Sequence, residues 1–261
     1  MFLLVTVGLP ENPIAALEQA GSLIPASDGS IGSTINVLLL LTVLALVPSI
    51  LVLCTCFTRF VVVLAVLRQA LGSPSLPPTQ ILVGLSLLLS VVVMAPTLER
   101  MYDEGIKPMI DGDITSSTQA WDKTKKPIRE FMFAQIESAD NWSTVYMMLN
   151  YRGVDTSDPK NLTTDDVDTL SLIPAFVLSE LKTAFLIGFR IYLPLLVIDL
   201  LVSGLLVSMG MLMLPPVLVS LPFKILLFVL VDGWQLVVGN LLQSVAVSEQ
   251  VTILMTAGGF V

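Results

Sequence analysis

An all-α, membrane-associated protein is predicted by three observations. Four long apolar blocks run along the chain, prolines stand inside and between them, and one polar segment repeats its apolar positions at helical spacing. Together they predict kinked helical hairpins with a small polar helical subdomain between them. Of the 261 residues 54% are hydrophobic and 13% charged, and mean hydropathy is +0.87. A soluble domain carries about 25% charged residues.

Residues 1–34 precede the first block. Phe2 to Leu9 is apolar, but no base precedes it and Pro10 cuts it short. Two readings stand: the remnant of a signal peptide, or a flexible lead-in rich in Gly, Pro and Ser. The first hydrophobic hairpin occupies 35–96. It pairs an apolar block at 35–67, with a kink expected at Pro48, and another at 79–96. The turn between them ends in Pro77 and Pro78, and proline suits the first turn of a helix.

Residues 97–170 are the polar subdomain. They hold fourteen acids against eight bases, a balance of −6 that accounts for most of the chain's net −8. From Lys125 the stretch KKPIREFMFAQIESADNWSTVYMMLN mixes apolar and polar positions at helical spacing. In NLTTDDVDTL, from Asn161, Thr or Asp is expected to cap a helix. The second hydrophobic hairpin follows at 171–247, with blocks at 172–207 and 217–247 and a kink expected at Pro194. Residues 248–261 form a tail. Each block is long enough to cross a bilayer, which needs about 20 residues. Arg68 beside one short connection and Lys224 after the other place both at the cytoplasmic side, with the polar subdomain and the termini outward.

Composition also excludes. The chain has no histidine, which removes the commonest general base and metal ligand. Its acidity offers no surface for nucleic acid. It has no GxxxxGK[ST] phosphate loop, so no ATPase. Cys54 and Cys56 form a CxC pair inside an apolar run; small packing residues are the expected role, and no metal or cofactor is expected. Nothing in the chain points to an enzyme.

Two features remain. Charged groups in apolar segments are costly, near ~3 kcal/mol for an arginine at a helix centre, and are functional candidates. Here they are Arg59, Arg68, Glu180, Lys182, Arg190, Asp199, Lys224 and Asp232. One reading is a set of ion pairs between helices or subunits that fix geometry; Lys224 and Asp232, eight apart, share a helical face without touching directly. The other is a proton or ion path, in which the chain is a coupled membrane transporter using Glu180, Asp199 or Asp232. The second feature is VSMGMLMLPP. It sets Met209, Met211 and Met213 at alternate positions, so they do not share a helical face. Gly210, Pro215 and Pro216 mark the end of one helix and the start of the next. On the residues alone, such a cluster is more often ordinary packing.

Four stretches resemble the FliP family of flagellar export-gate proteins, related to the SctR-type subunit of injectisomes. They are CFTRFVVVLAVLRQALGSPSLPPTQ from Cys56, IPAFVLSELKTAFLIGF from Ile173, VSMGMLMLPP, and LPFKILLFVLVDGW from Leu221. The likeness runs from about Asn36 to Gln243. It implies a ring of five copies that joins FliQ-like and FliR-like subunits, beside FlhA-like and FlhB-like apparatus. Unfolded flagellar subunits would leave through it, in the bacterial inner membrane within the basal body. It also implies that the kinked hairpins bury apolar surface against other subunits as well as lipid, largely above the bilayer plane. The loop of Met209, Met211 and Met213 would then be a gasket round the closed pore. Leu212 departs from the family's commoner run of consecutive methionines. Glu180, Lys182, Lys224 and Asp232 would fall in family motifs with structural roles.

Overall fold

The computed structural model describes residues 38, 41, 42, 45, 52–73, 77–112, 116–154, 164–211 and 213–245. The lead-in, the tail, Pro48, residues 161–163, Leu212 and thirteen residues of the first apolar block lie outside the described residues. Among the described residues there are helices and no strand. They include α1 (Phe57–Ala70), α2 (Thr79–Met101), a π-helical turn (Tyr102–Ile106) and α3 (Lys107–Ile110). Next come α4 (Ser117–Ser138), α5 (Trp142–Tyr151), a 3₁₀ turn (Thr164–Asp166), α6 (Thr169–Ser208), α7 (Pro216–Leu230) and α8 (Gly233–Gln243).

The described residues divide into two compact units. One takes in Thr97–Phe131. There Arg100 pairs with Glu104 at 3.0 Å and with Glu130 at 2.8 Å, all three exposed. Exposed pairs of this kind contribute little. Gly105 lies hard against Thr124, where a Cβ would fall 2.8 Å from the threonine Cα.

The other unit takes in Leu53–Pro96 and the described residues from Met132 onward. It is organised round α6, against which α1, α5 and α7 pack; α8 packs on α7. α1 buries Phe60, Val63, Leu64 and Leu67, the spacing of one helical face. The two helices run in the same direction, since Arg59 meets Glu180 and Val66 meets Gly188. At Gly188 the approach is close: an added Cβ would stand 3.0 Å from a methyl group of Val66. α2 buries a narrow stripe, Leu82, Ser86, Ser90 and Met94, four residues apart. Ser90 accepts a contact from the buried thiol of Cys56 at 3.7 Å. Phe133, Trp142 and Tyr146 stack in series where α4 gives way to α5.

Among the described residues two helices are long and apolar enough to cross a membrane: Thr79–Ile110, which joins α2 to α3, and α6. α7 and α8 pass the same test as a pair but bend by 66°. α6 runs on through Pro174 and Pro194 for 40 residues. At 1.5 Å per residue it is about 60 Å long, twice the hydrocarbon core of a bilayer. A sharp bend falls at Val231 and Asp232, between α7 and α8. Asp232 adopts left-handed backbone (φ 50°). Gly233 admits the Phe228 ring, which a Cβ would meet at 2.3 Å, and that ring stands edge-on to Trp234 at 5.5 Å.

Asp168 precedes α6, and Arg152 closes α5. Their side chains pair. Burial by itself would raise the Asp168 carboxyl, but hydrogen bonds from Ser171 and Arg152 and the Arg152 charge outweigh it and hold it below the usual carboxylate value. A carboxyl depressed by folding adds stability above its unfolded value, near ~3.9, and that stability is lost as pH falls through the folded value. Acid unfolding followed by circular dichroism should therefore show Asp168→Asn less sensitive to pH below about 4 than the parent. Gly188→Leu should separate α1 from α6 and cost about 1–3 kcal/mol in thermal or denaturant unfolding, as overpacking does.

Candidate functional site

Three polar clusters hold the second unit together, and each sits between apolar helices. In the first, Arg59 of α1 meets Glu180 of α6. The guanidinium donates from Nε to Oε2 at 2.8 Å and from Nη2 to Oε1 at 2.5 Å. The two side chains are 1% and 0% exposed. Nη2 also donates to Gln135 Oε1 of α4 at 3.1 Å, and Nη1 donates to the carbonyl of Ser244, just past α8. This is the planar fork that arginine supplies and lysine does not. Every acceptor round it is satisfied, which a buried charge requires.

In the second cluster Lys224 of α7 pairs with Asp199 of α6, Nζ to Oδ2 at 2.6 Å. The same ammonium donates to the carbonyl of Ala70 at 2.9 Å, the last residue of α1. A cation at that end meets the negative end of the helix dipole. Ser220 donates its hydroxyl to the other Asp199 oxygen at 2.5 Å. In the third, Lys182 donates to Asn141 Oδ1, and Asn141 donates from Nδ2 to Ser179 Oγ at 2.8 Å.

The structure gives Glu180, Asp199 and Lys224 partners on other helices of the chain: Glu180 takes Arg59, and Lys224 takes Asp199. Glu180 and Lys182 are two residues apart and point to different faces. Asp232 lies at the 66° bend that follows α7. Arg190 and Asp232 are exposed, without an ion pair or side-chain hydrogen bond among the described residues. Arg68 lies outside the clusters and donates to Thr79 at 2.8 Å.

The methionine turn joins α6 to α7. Met209 closes α6, and Gly210 follows with φ 76°. The Gly210 amide donates to Val207 O at 3.0 Å and the Met211 amide to Leu206 O at 2.9 Å. These are the paired bonds of a Schellman motif, which satisfy the last carbonyls of the helix. Pro215 is the extended N-cap of α7 and Pro216 its first residue. The side chains of Met209, Met211 and Met213 are 71%, 44% and 98% exposed. Pro77 and Pro78 hold the corresponding place before α2, where Pro78 O accepts the Ile81 amide at 3.0 Å.

Sequence reasoning missed Gln135, Asn141 and Ser244, the neutral partners of the charged groups. Amides and hydroxyls are scattered through the chain and nothing distinguishes these. It also missed the bend, although Asp232-Gly233 is a turn dipeptide that signals one.

Residues 40–241 match the model of the FliP family. The chain is 48% identical to a flagellar biosynthetic protein FliP of Bacillus subtilis over 215 residues, 82% of this chain and 93% of the relative. It is 43% identical to that of Caulobacter vibrioides over 235 residues, covering 89% and 85%. It is 39% identical to that of Aquifex aeolicus over 242 residues, covering 93% and 96%.

The buried Arg59–Glu180 pair yields a sharp double-mutant expectation. Arg59→Met alone leaves a carboxylate buried among apolar groups and should cost about 3–5 kcal/mol in denaturant unfolding. Combining it with Glu180→Leu should recover much of that loss, because the stranded charge is gone. If the double variant is as unstable as the single one, the fork contributes mainly through Gln135 and Ser244.

Proposed function

The chain belongs to the FliP family, and from that premise we propose that it is a pore-forming core subunit of the flagellar type III protein export gate. Relatives named for flagellar biosynthesis and its own apolar helices make it a membrane component of the flagellar apparatus. The finer reading is a ring of five copies that joins FliQ-like and FliR-like subunits and works beside FlhA-like and FlhB-like apparatus. Unfolded flagellar subunits pass through it out of the cytoplasm. It sits in the bacterial inner membrane within the basal body, with residues 97–170 toward the periplasm.

The observation that carries the reading is the methionine turn. Three large apolar side chains stand out at one tight connection, from 44% exposed at Met211 to 98% at Met213. Methionine is unbranched and polarizable, so it fills irregular gaps and yields to many shapes. Five copies of Met209, Met211 and Met213 would close a pore to water and ions, then flatten against any passing peptide without reading its sequence. Two further features agree. α6 is about twice as long as a bilayer core is thick, so much of it must find cover outside the hydrocarbon. Many of its apolar side chains are exposed in the single chain, as surfaces awaiting other subunits are.

A transporter acting alone would need an unpaired carboxylate in its apolar segments. Glu180 and Asp199 each carry a cation at hydrogen-bond distance, which counts against them as carriers; Asp232, without an ion pair among the described residues, is the one candidate left to that reading.

Two measurements test the proposal. Native mass of the detergent-extracted full chain, alone and with FliQ-like and FliR-like partners, should show a five-subunit species that gains mass with them. A monomer indifferent to those partners would overturn it. Met209→Ala, Met211→Ala and Met213→Ala together should leave assembly intact and make cells leaky to small solutes. Unchanged permeability in an intact assembly would remove the gasket.

A further inference from the structure

Along Thr169–Ser208 and the bent pair Pro216–Gln243 there are six charged side chains: Glu180, Lys182, Arg190, Asp199, Lys224 and Asp232. Four of them have partners inside the chain. Glu180 holds Arg59, Asp199 holds Lys224, and Lys182 holds Asn141. Arg190 and Asp232 do not, among the described residues. The remainder is one cation and one anion, both exposed.

These two do not meet within the chain, among the described residues. The corner between α7 and α8 faces α6 across an apolar groove of about 340 Å³, where Phe228, Val231 and Gly233 oppose Ile191 and Leu195. Arg190 does not line that groove, and it makes no ion pair with Asp232 among the described residues. Each charge is rimmed by apolar surface. Leu186, Phe189, Leu193 and Val197 flank Arg190 at 42–58% exposure. Val229, Leu230, Val231 and Trp234 flank Asp232 at 43–72%.

We propose that these two faces meet between copies of this chain, Arg190 of one copy pairing with Asp232 of the next. An apolar face with a central cation matches an apolar face with a central anion, and desolvating either charge alone is unfavourable. The contact joins different patches on the two copies, so it is head-to-tail, the kind that closes into a ring. A lipid phosphate could take Arg190 but would repel Asp232. The inference rests on the ring proposed above and adds the pair that sets its register.

The test uses the full chain in membranes, as two differently tagged copies, with Cys54→Ala and Cys56→Ala as background. One copy carries Arg190→Cys and the other Asp232→Cys. Oxidation should give a mixed-tag disulfide, while one chain carrying both cysteines should give none within itself. Charge reversal completes the test. Arg190→Glu or Asp232→Arg alone should reduce the assembled fraction about tenfold or more, and the two together should restore it. If reversal unfolds the helices by circular dichroism, the crosslink decides. A multi-subunit parent with no mixed-tag disulfide overturns the pair and leaves the ring standing. A monomeric parent removes both. Sensitivity to Arg190→Glu alone, without rescue, assigns Arg190 to lipid phosphate and also overturns the pair.

Discussion

The Arg59 guanidinium is the constraint on which the second unit depends. Its acceptors belong to α6, to α4 and to the residue that follows α8. Apolar helices in an apolar solvent have little hydrophobic reason to choose one packing over another. Leu, Val and Ile faces slide past each other at small cost. A buried fork with five fixed donors does not slide, because any shift leaves a charge unpaired where water cannot reach it. The fork therefore sets rotation and register for helices whose apolar surfaces alone would leave both loose.

The second pair extends that logic along the same helices. Arg59 lies near the start of α1, and Lys224 reaches the carbonyl of Ala70 at its end. Both clusters take their carboxylate from α6, at Glu180 and Asp199. α1 is thus fixed to α6 at each end by charge. Between the two lies Gly188, where α1 comes close enough to touch backbone. Close approach in the middle is possible because the ends are held. The third cluster, Lys182 with Asn141 and Ser179, does the same for the corner between α4 and α5.

Much of this was legible in the sequence and some was not, for physical reasons. Apolar blocks and proline pairs marked helices and turns, since those signals are local. α2, α6 and α7 begin at or within a few residues of the predicted block edges. Charged residues in apolar segments announced themselves by their cost. Which charge meets which is a matter of rotation between helices far apart in sequence. Arg59 and Glu180 are 121 positions apart, so no spacing rule could join them. The expected kink at Pro194 lies in a helix that continues, because a membrane-type helix can lose one backbone bond and be held by its neighbours. The larger bend arose where a left-handed aspartate, a glycine and an edge-on aromatic pair combine.

The methionine turn shows how a rigid backbone can carry soft side chains. Gly210 and the capping bonds to Val207 and Leu206 close α6, and Pro215 and Pro216 open α7. The ends of both helices are secured by backbone geometry alone, so no side chain in the turn is needed for capping. The three methionines are nevertheless not equivalent. Met211 occupies the position where a Schellman motif usually makes an apolar contact back to the helix, and it is the least exposed of the three, at 44%. Met209 and Met213 are freer, and Met213 touches almost nothing. Met211 is thus the most covered of the three, while Met209 and Met213 project from the turn. The seal proposed for this turn would need no motion of the backbone to change shape. Rotation about side-chain bonds is enough, and it occurs far faster than any helix can move.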